Sequence, residues 1–298
     1  MNKNLTRALW RCLPRSFWIN RLFALPWFLK NHHRFPRRPA SPRAALEDYV
    51  FARMGGPWPP LVESCVDKET AKAAASALSP KIMSAKTLAV LPLTGQTTLE
   101  EVGRFLYPFM GKNLVAKPTH ASGGIVFLNQ DPSKIVKRTV EMFQLARDNF
   151  FFQHYEAQYR NLAKKILVEE SLGEGPPPDF RFYCARGKTL FCQYDRDRFG
   201  DHRQALFTVP EFQPISIRDV FPLPDPLPGK PPHWDDLLRT ASELSAPFDF
   251  VRVDLYDLPE GVFFSEFTFT PNAAAFPFSD PVFSRRLLEE VLNLNRIS

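Results

Sequence analysis

The sequence predicts an α+β fold, on three observations. Segments of helical periodicity alternate with short strand-like runs. Two pairs of those runs, 180–185 with 189–194 and 251–256 with 262–268, read as antiparallel hairpins. No G-x-G-x-x-G turn joins a strand to a helix, as a Rossmann fold would require. With 298 residues, 44% of them hydrophobic, the chain can build a substantial core. Its net charge of +6 is unevenly spread: residues 1–46 hold ten Lys or Arg and no acid, which leaves 28 bases against 32 acids in the rest. Basicity therefore belongs to one arm, and no nucleic acid is expected as a partner of the body.

Residues 1–40 form this basic aromatic arm, expected to be helical. Its apolar run from Ser16 to Lys30 is interrupted by Arg21 and Pro26 and is too short to span a bilayer. Two readings stay open. The arm can lie in the interface of an anionic membrane, each nearby cation contributing about 1 kcal/mol, or its aromatics can pack on the body. The start has the Arg-rich, acid-free composition of a transit peptide, and a signal-peptide pattern is not seen. Cys12, Cys65, Cys184 and Cys192 have no metal-ligand spacing, so a reduced, cytoplasmic compartment is expected, with the arm able to touch the inner membrane surface.

Helical spacing over 41–54 ends at Gly55-Gly56-Pro57, and Pro59-Pro60 predicts extended chain. A helix is expected over 67–75, rich in strong helix formers, a strand over 88–93 and a helix over 98–109. The strand 113–117 runs into Pro118-Thr119-His120-Ala121-Ser122-Gly123-Gly124 and out through 125–128. A long helix over 132–164 precedes the strand 166–170. The proline-rich stretch 221–232 reads as a stiff surface connection. Helices over 233–244 and 280–293 flank the second hairpin.

That hairpin carries the strongest chemical signal. Asp254 and Glu266 lie twelve residues apart on strands joined by the turn Leu258-Pro259-Glu260-Gly261, which brings the two carboxylates together. Such a pair needs a counter-charge, and its hard oxygens suit Mg²⁺, which takes one or two protein carboxylates plus substrate phosphates. Period-2 spacing puts Arg252 on the face of Asp254, where it can steady a transferred phosphoryl group. Lys117 ends a buried strand, a costly place for an ammonium unless it meets an anion. The small residues Ser122, Gly123 and Gly124 let backbone N–H groups approach phosphate.

The order Lys68, Lys117 with its Ser/Gly loop, Glu169-Glu170, Asp179-Phe180-Arg181, Asp254, Glu266 resembles the ATP-grasp superfamily. Four blocks, 114–123, 179–184, 195–202 and 250–256, are similar to the TupA-like ATP-grasp family, named for teichuronopeptide biosynthesis, and the likeness extends over about 35–285. The resemblance implies two α+β lobes gripping ATP. Residues 41–112 would form an N-terminal helical/α+β region, 113–170 lobe 1 with the phosphate loop, and 171–298 lobe 2 with the metal hairpin. It implies Lys68 as a further phosphate ligand, Glu169, Glu170 and Leu172 at an adenine-binding hinge, Asp179 on the ribose, and Arg181 towards phosphate. Arg203, ahead of Arg198 and His202, is implied as the catalytic grip on the substrate carboxylate or acyl phosphate. Many ATP-grasp enzymes carry Glu-x-Asn where this chain has Glu266-Phe267-Thr268, so the third metal ligand is expected to be the Thr268 hydroxyl.

The function this implies is an ATP- and Mg²⁺-dependent ligase joining a carboxylate, small or glycan-borne, to an amine through an acyl phosphate, in cell-surface polysaccharide biosynthesis. Two alternatives remain, the first using the same ATP site and the second suggested by the basic aromatic arm and by Thr268 and Asn272, where the chain departs from the ATP-grasp pattern. One is a phosphotransferase on a glycan precursor; the other is a catalytically silent membrane-surface component of a polysaccharide assembly complex.

Overall fold

The computed structural model describes residues 13, 16–173, 175–198, 200–217, 221–275 and 278–297; Cys12 and the opening of the arm lie outside the described residues. The first described helix, α1 (Phe17–His32), starts at the Ser16 cap, whose hydroxyl accepts from the Ile19 amide, and ends with Lys30 and His32 in its last turn. Its stripe Asn20, Ala24, Phe28 is buried against the body, and the Asn20 amide donates to the Gly55 carbonyl at 2.9 Å. A Cβ at Gly55 would stand 2.7 Å from the Phe17 carbonyl, so glycine permits this close approach. This part of the arm thus packs on the body, while Trp18 and Leu22 stay exposed on its outer face. Among the described residues no helix is long and apolar enough to cross a membrane.

Next come α2 (Leu46–Met54), α3 (Pro60–Val66) and α4 (Thr70–Leu78). Pro60 opens a helix where extended chain was expected, because a proline at the first helical position gives up no hydrogen bond. After β1 (Met83–Ser84) and β2 (Thr87–Pro92), α5 (Leu99–Leu106) opens with a Thr98/Glu101 capping box. β3 (Leu114–Pro118) and β4 (Val126–Phe127) enclose the 119–124 loop. The expected long helix stops early, as α6 (Pro132–Arg147), since Asp148 is extended and the Asn149 side chain accepts from the Phe151 amide in a turn ahead of the short α7 (Phe151–His154). Irregular chain then leads to β5 (Lys165–Glu170), β6 (Asp179–Ala185), β7 (Lys188–Arg196) and β8 (Arg203–Phe207), followed by α8 (Trp234–Ser245), β9 (Val251–Leu258), β10 (Gly261–Thr268) and α9 (Pro281–Ile297).

The strands form two sheets. The larger has the order β1-β10-β9-β6-β7-β8, antiparallel except for the β1–β10 edge; the smaller is antiparallel, β2-β5-β3-β4. The expected boundary at 112 therefore divides the smaller sheet, whose outer strand β2 precedes it. One face of the large sheet packs on α3, α4 and α8 around Phe182, Trp234 and Phe269. The other face is covered at one end by α1, α2 and α9 through Phe28, Tyr183 and Phe250. α5 and α6 cover the small sheet. Cys184 and Cys192 are buried in the first of these cores, where burial pushes the Cys184 thiol up to about 12, leaving it inert.

Candidate active site between the two sheets

On the uncovered part of its second face the large sheet carries a row of charges. In the β9–β10 ladder Asp254 stands opposite Glu266, and Arg252 opposite Thr268. This register depends on a β-bulge between Phe264 and Glu266: Phe264, opposite Leu255, points into the core, and the extra residue Ser265 returns Glu266 to the face of Asp254. The Arg252 guanidinium forks onto both oxygens of Asp254 at 2.7 Å and reaches Thr268 Oγ1 at 3.0 Å and Glu266 at 3.5 Å. One strand over, Arg181 lies opposite Asp254 and meets three buried carboxylates, Asp195 at 3.3 Å, Asp179 at 3.4 Å and Asp254 at 3.5 Å.

The two hairpin acids differ in character. Burial pushes the Asp254 carboxyl up to about 6, despite Arg252 and Arg181. Glu266 is held down at about 2, where Lys68, Arg252 and Arg198 together outweigh the burial that works against its charge.

The small sheet supplies the facing wall. Lys117 pairs with Glu169 at 2.5 Å, and the same carboxylate takes Lys72 at 2.7 Å. Burial opposes the charge on Glu169, but the two ammonium groups more than offset it and keep the carboxyl below its ordinary value. Lys68 links the walls: its ammonium donates to the Ala121 carbonyl of the glycine loop at 2.6 Å and lies 3.9 Å from Glu266. Gly123, at φ +85°, has open space around its Cβ position, so a ligand can approach that backbone.

His120 anchors the loop as a neutral ring. Its Nδ1 accepts from the Lys165 amide at 3.3 Å, which leaves Nε2–H to donate to the Ala146 carbonyl at 3.1 Å. Burial lowers its pKa to about 4. A second proton would face the Lys165 N–H, so the stability this group contributes, about 3 kcal/mol, is present above pH 6.5 and lost as pH falls towards 4. Thermal melts between pH 7 and 4.5 should therefore fall more steeply for the wild type than for His120→Gln; parallel curves would remove this account.

Two adjoining cavities share Arg198. The smaller, about 80 Å³, is lined by Val115, Phe127 and Leu172 together with Lys117, Glu169 and Glu170. Asp179 also lines it; Oδ2 takes Arg198 at 2.9 Å, and the buried Oδ1 has no partner among the described residues. The larger, about 500 Å³, holds Ser122, Arg181, Arg252, Glu266 and Thr268, and runs on to Glu156. The predicted residues thus converge on one cleft, with Asp254 buried under it and Gly124 in its loop.

Arg203 is the exception and is corrected. On β8 it alternates with Gln204, so it lies on the face of Ala205 and Phe207, which belong to the opposite core, and it pairs with exposed Asp201 at 2.6 Å. Gln204 faces the site, donating to Asp195 at 3.1 Å. Of the arginines in the 195–203 run, Arg198 is the one that lines both cavities. Lys72, Glu156 and Thr270 escaped the sequence reading; only the spacing of Lys72, four residues after Lys68 and hence one helical turn away, held a signal for any of them.

Comparison with known proteins gives the class first: this is an ATP-grasp protein. More narrowly, the chain belongs to the TupA-like ATP-grasp family, whose model matches residues 65–292. No curated protein matches the sequence. Among solved structures, the chain is similar to the VanG D-Ala:D-Ser ligase of Enterococcus faecalis at 12% identity and TM-score 0.47, covering 77% of this chain and 61% of that one. It is similar to the D-alanine–D-alanine ligase of Bacillus anthracis complexed with ATP at 14% and 0.39, covering 77% and 63%. The ATP-grasp ligase PsnB, complexed with minimal precursor, Mg and ADP, gives 12% and 0.39, covering 79% and 60%. The chain thus spans less than two thirds of the length of each of these structures.

Proposed function

We propose that this protein is an ATP- and Mg²⁺-dependent ligase that activates a carboxylate as an acyl phosphate and couples it to an amine. The observation that carries the reading is the convergence of Lys68, Lys117, Arg181 and Arg252 with Asp254 and Glu266 on a cleft that continues into a larger polar cavity. The apolar walls at Val115, Phe127 and Leu172 would take the base, and the orphaned Asp179 Oδ1 a ribose hydroxyl. Lys117, Lys68 and the Gly123 amide would bind phosphate oxygens. Arg252 would hold the transferred phosphoryl group, and Arg198, at the junction of the cavities, the substrate carboxylate.

Asp254, Glu266 and Thr268 fit Mg²⁺. Two carboxylates and a hydroxyl share one sheet face, and among the described residues no group of three or more His, Cys, Asp or Glu could form a protein cage. When bound, Mg²⁺ would supply neutralising charge at the β and γ phosphates.

Ligation beside a 500 Å³ cavity leaves room for a second substrate, which distinguishes this reading from a phosphotransferase only when amide formation is shown to depend on an acceptor. The family's namesake supports a carboxylate or amine belonging to a cell-surface glycan and a cytoplasmic site of action. The exposed Trp18 and Leu22 support contact of the arm with the inner membrane surface. Lys117→Ala tests the nucleotide site. It should weaken ATP–Mg binding about 30- to 150-fold, as loss of one charged hydrogen bond of about 2–3 kcal/mol does, with the fold kept because Lys72 still neutralises Glu169. Calorimetry showing unchanged affinity would remove the phosphate role.

A further inference from the structure

The buried carboxylates of the described residues have cationic partners, with one exception. Asp48 has Arg34, Asp67 has Lys165, Asp179 has Arg198, Asp195 has His202 and Arg181, Glu169 has Lys117 and Lys72, and Asp254 has Arg252. Glu156, only 6% exposed, has no cation among the described residues. Its Oε1 accepts from the Thr270 hydroxyl at 2.5 Å and from the Gln158 amide at 3.4 Å, and among the described residues no hydrogen bond is made to its Oε2. Burial pushes its carboxyl up to about 7, against the pull of Thr270 and Gln158. A buried carboxylate left without a counter-charge is costly unless it takes up a proton or a ligand completes the pair.

Glu156 lines the same cavity as Arg252, Glu266 and Thr268, and Thr270 follows Thr268 on the chain leaving β10. Tyr159 lines the same cavity, and Glu156 and Glu266 both raise its phenol after burial. Trp27 and His154, with ring centroids 4.2 Å apart, line this cavity as well. A carboxylate in a cavity that also carries aromatic rings is a setting that favours an organic ammonium.

We propose that Glu156 binds the ammonium of the incoming amine substrate, fixing the acceptor beside the acyl group held at Arg252 and Arg198. This rests on the ligase reading and names its acceptor site: a primary amine on a compact body with an apolar face that packs against Trp27. Amino sugars and amino acids both carry that chemistry.

The test uses the full chain loaded with Mg²⁺ and a non-hydrolysable ATP analogue, with glucosamine and L-alanine as amine probes and N-acetylglucosamine as the uncharged control. In calorimetry at pH 7.5, one amine should bind the wild type, the control should not, and Glu156→Gln should weaken amine binding at least tenfold with nucleotide affinity unchanged. Which amine binds identifies the source. Melting temperature checks that the neutral isostere is folded. Equal amine binding by Glu156→Gln, or binding of nucleotide but neither amine by the wild type, would overturn the assignment. Failure of the wild type to bind nucleotide would instead defeat the ligase reading, and this site with it.

Discussion

Arg252→Lys is expected to lower the rate of ADP formation about a thousandfold while changing nucleotide affinity only a few-fold. The guanidinium holds two oxygens of Asp254 at 2.7 Å and Thr268 at 3.0 Å at once, which needs a planar fork. Lysine keeps the charge but has one donor centre, so it cannot hold Asp254 and also meet the oxygens of a phosphoryl group in flight. Arginines that stabilise such a transition state contribute 10³–10⁵ in rate, whereas in the proposed site ground-state binding would rest on Lys68, Lys117 and the glycine loop. The effect should therefore fall on kcat. Stability should drop by about 1–3 kcal/mol, because Asp254 keeps Arg181 at 3.5 Å but loses its best partner. Steady-state ADP release, with circular dichroism to establish the fold, decides it. A kcat within tenfold of wild type would mean that Arg252 only neutralises Asp254.

Sequence alone reaches much of this site, because strand periodicity is short-ranged. The Leu258–Gly261 turn and the alternation of Arg252 and Asp254 are enough to pair the two strands and to put those two charges on one face. Glu266 joins them only through the bulge at Ser265, which no composition signal marks. The misreadings elsewhere have physical causes. Arg203 and Gln204 differ by one position on a strand hidden in a charged run, and one position exchanges the faces of a sheet. Glu156 lies beyond the point where α6 ends; continuing the helical pattern to 164 placed it on a helix and hid its contact with Thr270, 114 residues away in sequence. Lys72 likewise reads as a solvated helix lysine until β5 brings Glu169 to it.

The Asp254→Asn variant separates a metal role from a structural one. The exchange is nearly isosteric, but it replaces one acceptor oxygen by a donor NH₂ facing the Arg252 fork, so one of two 2.7 Å bonds is lost and two donors confront each other. Arg252 retains Thr268 at 3.0 Å and Glu266 at 3.5 Å, which limits the damage to about 1–3 kcal/mol. Catalysis should suffer more. If Asp254 and Glu266 hold Mg²⁺ against the phosphates, removing one of two anionic ligands forfeits several kcal/mol of charge stabilisation, about a thousandfold in turnover. The Mg²⁺ concentration for half-maximal rate should rise as well, which loss of a structural ion pair alone does not produce. Glu266→Gln should behave similarly, although Glu266 is already balanced by Lys68 and Arg252. Titrating ADP release against Mg²⁺ for wild type and both variants is the measurement. If the Asp254 variant keeps the wild-type rate and Mg²⁺ midpoint, the acidic hairpin is a buttress for Arg252 and the metal must bind through substrate phosphates alone.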